Sequence, residues 1–330
     1  MDNNKTSLFN QVQVGYVVVE STKLADWRTF GEQGLGMHLA VDTENEVAFR
    51  LDEQAKRFII QKGPSEDVIA IGMALADRKV LDAVLRRLDQ NEVAVAEGSS
   101  AEAEARGVKA LWHFKGPKGL QIELYCDAEQ SSEPLDMLTS GFITGEGGMG
   151  HVAITTRNAE RMVAFWESLF DARTSDYIRE TIAGVTLDIT FLRFNERHHS
   201  VAVAATQELN LDPIRTRVQH VSFLSGSLDD LSSAFRRLKG LGYEMAHEVG
   251  QHPNDKEISF YVLSPSGFEI ELGCDALTVN EESWQVNHYQ GISLWGHKPQ
   301  KAGLISFLTI NGANLFQGLR SLRHKEFFPF

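Results

Sequence analysis

Cysteine is scarce in this 330-residue chain: the only two are Cys126 and Cys274, too few for the disulfide framework of a small secreted scaffold. Long apolar runs are missing as well. None approaches the roughly 18 residues of a membrane span, and the N-terminal MDNNKTSLFN has neither the basic nor the apolar region of a secretion signal. A cytoplasmic location with reduced, buried, structural thiols is therefore expected. Positive charge is also in deficit: 32 Lys and Arg stand against 45 Asp and Glu, a net charge of -13. That balance argues against nonspecific binding to nucleic acid or to anionic membrane, both of which call for a basic face. A small molecule is the expected partner.

What the chain does have is a motif written twice. Residues 117-128 read PKGLQIELYCDA and residues 265-276 read PSGFEIELGCDA. Two further pairs keep the same order: VGYVVV (14-19) with MGHVAI (149-154), and DRKVLDAVLRRL (77-88) with SLDDLSSAFRRL (227-238). The chain is an internal duplication, and its length alone suits two domains. Superposing the halves sets Tyr16 against His151, Ala70 against His220 and Glu123 against Glu271. Only the second half thus has two imidazoles and a carboxylate at these positions, the set that binds Fe(II) and leaves coordination sites open. A buried glutamate is costly without a partner, and a divalent cation is one. Glu123 lacks the histidines and needs some other partner, such as a basic side chain.

Each half runs strand, helix, several strands, twice over. In the second half GHVAITT (150-156) is a strand, and NAERMVAFWESLFD (158-171) spaces Met162, Phe165, Trp166, Leu169 and Phe170 as one helix face. TSDYIRE, VTLDITFLRF and HSVAVAA follow as strands. The next unit opens with VQHVSFL (218-224), carries Leu228, Leu231, Phe235 and Leu238 on a helix, and closes with HEVGQH, EISFYVL and FEIELGC. The expected class is α+β, with four βαβββ units paired into two similar domains, each a curved mixed sheet around a central cavity. Residues 1-135 form the metal-free N-terminal domain, 129-146 a polar linker, 146-298 the metal-binding C-terminal domain, and 299-330 a tail of unknown role. Within the tail, LISFLTINGANLFQGLRSL reads as an amphipathic helix or a broken pair. GSSAEAEAR (98-106) reads as a solvated helix or loop without chemistry.

Further polar groups gather in the second half. NERHHS (195-200) puts His198 and His199 at the start of a strand, where alternation sends them to opposite faces, so at most one can face the cavity. His252 and Tyr261 precede Glu271 on strands that should flank it. Taken singly, the three histidines also read as surface loop residues and Tyr261 as an interfacial aromatic.

The run GQHPNDKEISFYVLSPSGFEIE, from Gly250 to Glu271, resembles the signature of the type I extradiol ring-cleaving dioxygenases of the vicinal oxygen chelate superfamily. It departs at Ser264, where that family usually has Asp, Glu, Asn, Thr or Ala. GMGHVAI, FNERHHSVAVAA, VQHVSF and the late WGHK (295-298) extend the resemblance over residues 10-298. It is similar in particular to two-domain enzymes acting on 2,3-dihydroxybiphenyl and 1,2-dihydroxynaphthalene. The resemblance implies His151, His220 and Glu271 as iron ligands, with Mn(II) less favoured, and His199 as the acid-base residue. It also implies that His252 and Tyr261 hydrogen-bond the substrate oxygens, with Asn254 and Asp255 bordering the pocket. Catechol and O2 are the implied small-molecule partners, and a homo-oligomer the implied assembly. Phe191, Ala202 and Ile154 are the residues expected to shape the pocket. Two alternatives stay open: a metal-dependent isomerase or epimerase of the same superfamily, and a non-catalytic module that binds an aromatic compound.

Overall fold

A computed structural model describes residues 7–182, 185–206, 212, 216–299 and 325–330. The valine-rich opening run forms β1 (Val12–Ser21), followed by a short helix α1 (Leu24–Arg28) and three strands, β2 (His38–Asp42), β3 (Glu46–Arg50) and β4 (Phe58–Lys62). The second unit repeats the plan with β5 (Asp67–Leu75), α2 (Arg78–Gln90), β6 (Ala96–Glu97), a short α3 (Ser100–Arg106), β7 (Trp112–Lys115) and β8 (Gln121–Tyr125). The third comprises β9 (His151–Thr156), α4 (Ala159–Phe170), β10 (Arg173–Ile182), β11 (Val185–Arg193) and β12 (Val201–Thr206). The fourth comprises β13 (His220–Leu224), α5 (Leu228–Gly240), β14 (Met245–Gln251), β15 (Ile258–Leu263) and β16 (Glu269–Cys274), and β17 (Asn287–Gln290) adds an edge.

The strands make two mixed sheets, ordered β2-β3-β4-β1-β5-β8-β7-β6 and β14-β15-β16-β13-β9-β12-β11-β10-β17. In each, the two opening strands lie antiparallel at the centre, and each opening strand runs parallel to the closing strand of its own unit. The repeat extends to register: Ala70 pairs with Gln121 as His220 pairs with Glu269, and Tyr16 pairs with Gly72 as His151 pairs with Ser222. It extends to helix starts too. Asp77 and Ser227, aligned by the duplication, each accept a backbone N–H with the side chain and cap α2 and α5.

Alternation divides every central strand between two environments. Val152 and Ile154 point into the large core that the sheets share with the helices, whereas Ala153 faces a separate cluster with Ile178, Ile189, Phe191 and Ala202 inside the second sheet. Ile154 therefore does not shape the pocket; its neighbour Ala153 does, because it has the same parity as His151. Gly150 is required just before His151: its φ is +156°, and a Cβ there would meet the Ser222 carbonyl oxygen at 1.8 Å.

The halves are joined by buried aromatic contacts, among them Phe58–Phe223 and Trp27–Phe268 at 5.2 and 5.7 Å between ring centres. They are also joined by the Arg87–Asp171 ion pair at 2.8 Å. Glu66 adds another link, accepting hydrogen bonds from Ser266 of the second half and from Ser21 and Thr22 of the first. Partial burial raises its carboxyl, but these hydrogen bonds outweigh that and hold it at about 2, against an ordinary 4.5. Such a group stabilises the fold above its ordinary value, and the contribution disappears as pH falls through 2. Glu66→Gln is expected to melt below wild type at neutral pH and to match it near pH 2. Melting curves taken across that range read the convergence.

Cys126 and Cys274 are free, and burial pushes their thiols up to about 11 and 12. Among the described residues no helix is long and apolar enough to cross a membrane. The segment expected as an amphipathic helix within the tail lies outside the described residues. The chain's last six residues, 325–330, run extended against α4.

Candidate metal centre

Three adjacent strands, β9, β13 and β16, bring the two imidazoles and the carboxylate together. Ser222 of β13 pairs with His151 on one side and with Glu271 on the other, so all three side chains leave the same face of the sheet. His220, two residues before Ser222, shares that face. The donor atoms close a triangle: His151 Nε2 to His220 Nε2 is 3.0 Å, and Glu271 Oε2 lies 3.1 and 3.4 Å from them. Neighbouring corners of an octahedron with bonds of about 2.1 Å are about 3.0 Å apart, so the triangle fits one face of a divalent-metal coordination sphere.

The charge states fit as well. Burial pushes the His220 imidazole down to about 3, overriding Glu271, and leaves it neutral with a lone pair to offer. Burial would raise the Glu271 carboxyl, yet hydrogen bonds from His151 and His252 hold it well below its ordinary value. His220 is oriented from behind by Gln219, whose Oε1 takes the Nδ1 proton.

Further polar groups meet this triangle. Tyr261 pairs with Glu271 across β15 and β16. His252, just past β14, places Nε2 at 3.0 Å from the Tyr261 hydroxyl and 3.2 Å from Glu271 Oε1, while its Nδ1 donates to the Ile292 carbonyl at 2.7 Å. Burial lowers the His252 imidazole, but the Glu271 hydrogen bond and charge outweigh it and raise it to about 9. Burial and the Glu271 charge keep the Tyr261 hydroxyl protonated. His297 of the late WGHK run packs against His252, its ring tilted by 31° with 4.4 Å between ring centres.

His199 lies with its ring 4.0 Å from that of His151 and 4.8 Å from that of Phe191. Burial, with His151 and His198 next, holds it well below the ordinary histidine range. Of the adjacent pair only His199 lines the cavity, as expected of at most one, but strand alternation is not what separates them. They sit in the connection between β11 and β12, where strict alternation does not apply, and both are buried with their Nδ1 atoms 3.1 Å apart. His198 Nε2 in turn donates to Asp176 Oδ2 at 2.8 Å. Asp176 is wholly buried, and its other oxygen accepts the Asn287 N–H at 2.7 Å.

A cavity opens on these groups. Phe191 and Ala202, a cross-strand pair, line it together with Ile189 and Ile292. Asn254 and Asp255 lie at its edge, and Asn254 Nδ2 is a buried donor with no hydrogen-bond partner among the described residues. Strands from both units of the second sheet contribute to the one cavity, so that sheet wraps around it. Sequence reasoning missed Gln219, Asp176, Ala153 and Ile292.

The equivalent place in the first sheet is filled differently. Glu123 accepts from the Tyr16 hydroxyl at 2.6 Å, from Gln121 at 2.8 Å and from Arg106 Nε at 2.9 Å. The basic partner expected for Glu123 thus comes from the 98-106 segment, which had read as a solvated element without chemistry.

Comparison with known proteins agrees with this geometry. Residues 148–272 match the Glyoxalase/Bleomycin resistance protein/Dioxygenase superfamily, and residues 14–63 match the dihydroxybiphenyl dioxygenase BphC D1 family. The chain is 36% identical to a biphenyl-2,3-diol 1,2-dioxygenase of Metapseudomonas furukawaii over 86% of its own length and 93% of that protein's. It is 28% identical to an iron-dependent extradiol dioxygenase of Rhodococcus jostii, over 86% of this chain and 96% of that one. The crystal structure of 2,2',3-trihydroxybiphenyl 1,2-dioxygenase from Sphingomonas wittichii superposes with a TM-score of 0.76 at 28% identity, covering 88% of this chain and all of that one.

Proposed function

We propose that this chain, which belongs to the type I extradiol ring-cleaving dioxygenases of the vicinal oxygen chelate superfamily, opens a catechol bearing an aryl or fused ring beside the diol. The observation that carries the reading is the triangle of His151 Nε2, His220 Nε2 and Glu271 Oε2 at 3.0 to 3.4 Å. Fe(II) held there supplies a redox centre with positions left for a catecholate and dioxygen. The remaining work falls to side chains. Kept neutral by burial, His199 takes a proton from a diol hydroxyl and returns it as the ring opens. His252 keeps its proton at neutral pH and, with the Tyr261 hydroxyl, donates to the anionic diol oxygens and orients them. Asn254 Nδ2 offers one more donor, and Asp255 borders the pocket beside it. Ile189, Phe191, Ala202 and Ile292 form the apolar wall against which the substituent ring packs and water is excluded.

In the overall reaction the ring carbon–carbon bond beside the diol breaks, and both atoms of O2 enter a 2-hydroxy-6-keto dienoate. The relatives named for biphenyl-2,3-diol support a biphenyl-type substrate, and the apolar wall suits one. The same reading places the enzyme in the cytoplasm as a homo-oligomer; the free thiols Cys126 and Cys274 fit a reducing compartment. The test is to load the protein with Fe(II) under anaerobic conditions, add 2,3-dihydroxybiphenyl and admit air. Uptake of one O2 per catechol with a yellow product is expected. No uptake by iron-loaded protein across monocyclic and bicyclic catechols overturns the reading in favour of an isomerase or a binding module.

A further inference from the structure

The last six residues, Lys-Glu-Phe-Phe-Pro-Phe, lie beyond the stretch that resembles the dioxygenases, and nothing in the chemistry above uses them. They are seated where the turn between β7 and β8 in the first sheet meets α4 in the second. Three polar contacts fix the main-chain path. Glu326 Oε2 accepts the Arg157 N–H at 2.9 Å, the Phe327 carbonyl accepts the Lys118 N–H at 2.9 Å, and the Phe330 oxygen accepts from Arg161 Nη2 at 2.9 Å. Each aromatic ring has its own counterpart. The Lys115 ammonium lies 4.3 Å from the Phe327 ring centre, the Arg161 guanidinium 4.7 Å from that of Phe328, and Phe330 packs on Phe165 at 5.5 Å.

Lys115 and Lys118 belong to the first half of the chain, and Arg157, Arg161 and Phe165 to the second. Phe328 and Phe330 pack against the core that the halves share. Pro329 holds its own φ and biases Phe328 to an extended backbone, so little freedom is lost when the segment docks.

We infer that this surface is a receptor for the chain's own aromatic segment 325–330, which docks on it in cis and pins the two halves together. Arg161 reads the Phe330 oxygen and Phe165 the Phe330 ring, so recognition depends on an aromatic residue at that position. The segment belongs to the same chain as its receptor, which favours the cis contact over one made by a second copy.

The test uses the full chain, the full-length variants Phe330→Ala and Arg161→Ala, and a chain ending at Pro299. The probe is the synthetic peptide Lys-Glu-Phe-Phe-Pro-Phe. Both variants and the shortened chain are expected to melt below wild type with KM for the catechol unchanged. The probe should bind the shortened chain and raise its melting temperature, and bind the full chain at least about tenfold more weakly, because the tethered tail already occupies the surface. A probe with Ala in place of its last Phe should lose about tenfold or more on the shortened chain. Should the shortened chain fail to fold, Phe330→Ala takes its place, and a gain of probe binding over wild type is expected. Equal binding to full and tail-deficient chains, or none to either, overturns the inference. A tail-dependent dimer in sedimentation overturns the cis contact.

Discussion

Asp176→Asn is expected to lower kcat by about 10²- to 10⁴-fold while iron content and KM stay near wild type. The reason is a chain of donors that only a carboxylate can start. Asp176 accepts at both oxygens, from Asn287 N–H and from His198 Nε2–H. A neutral His198 with its proton on Nε2 has a lone pair at Nδ1, so His199, 3.1 Å away, must donate from its own Nδ1. The Asp255 carboxylate, 3.7 Å from that same nitrogen, favours the proton there as well. His199 Nε2 is then the basic nitrogen, available to the proton transfers proposed for it. An asparagine keeps its oxygen on Asn287 N–H and turns its NH2 toward His198, which reverses every donor in the chain and puts a proton on His199 Nε2. His199→Ala sets the floor: it should bind iron and catechol yet lose turnover by a similar or larger factor, and the double variant should be no worse than His199→Ala alone. Nitrogen-15 histidine spectra of the zinc-loaded protein read the tautomer apart from turnover. An Asp176→Asn enzyme with full iron and kcat within about threefold of wild type would sink the relay.

Why this relay escaped the sequence while the triangle did not is a matter of range. His151, His220 and Glu271 stand at the same offsets as Tyr16, Ala70 and Glu123, and the duplication exposes the contrast without knowledge of any contact. The units were legible because their strands are buried on both faces and their turns recur. Asp176 offers no such contrast. In TSDYIRE it looks like a solvent-facing acid, and its burial depends on pairing opposite Phe191 and on Asn287 arriving from 111 residues away. Ile154 was a matter of phase, since counting by twos from His151 selects Ala153. His198 and His199 show the limit of counting: period two holds inside a strand, and these residues lie just outside one.

Arg106→Ala is expected to destabilise the protein by about 3 to 5 kcal/mol, the cost of stranding a buried carboxylate. The side chains of Arg106 and Glu123 are 11% and 1% exposed, so water cannot replace the guanidinium at little cost. Small and acidic residues make 98-106 look solvated, but local rules aim its last side chain inward. Ser99 and Glu102 form a capping box that starts α3, and Gly107, with φ of +64°, ends it just after Arg106. Arg106 then meets Glu123 where the other sheet brings His151 and His220 to Glu271. The same buried glutamate is thus neutralised by a guanidinium in one half and by a metal, as proposed, in the other. Urea unfolding should show the loss in Arg106→Ala, and Arg106→Ala/Glu123→Gln should recover most of it, because removing the charge removes the need for a cation. Recovery fails if Arg106 matters chiefly as packing, in which case the double variant unfolds at the same urea concentration as Arg106→Ala. Iron content should be unaffected in both variants, since the metal triangle belongs to the other sheet.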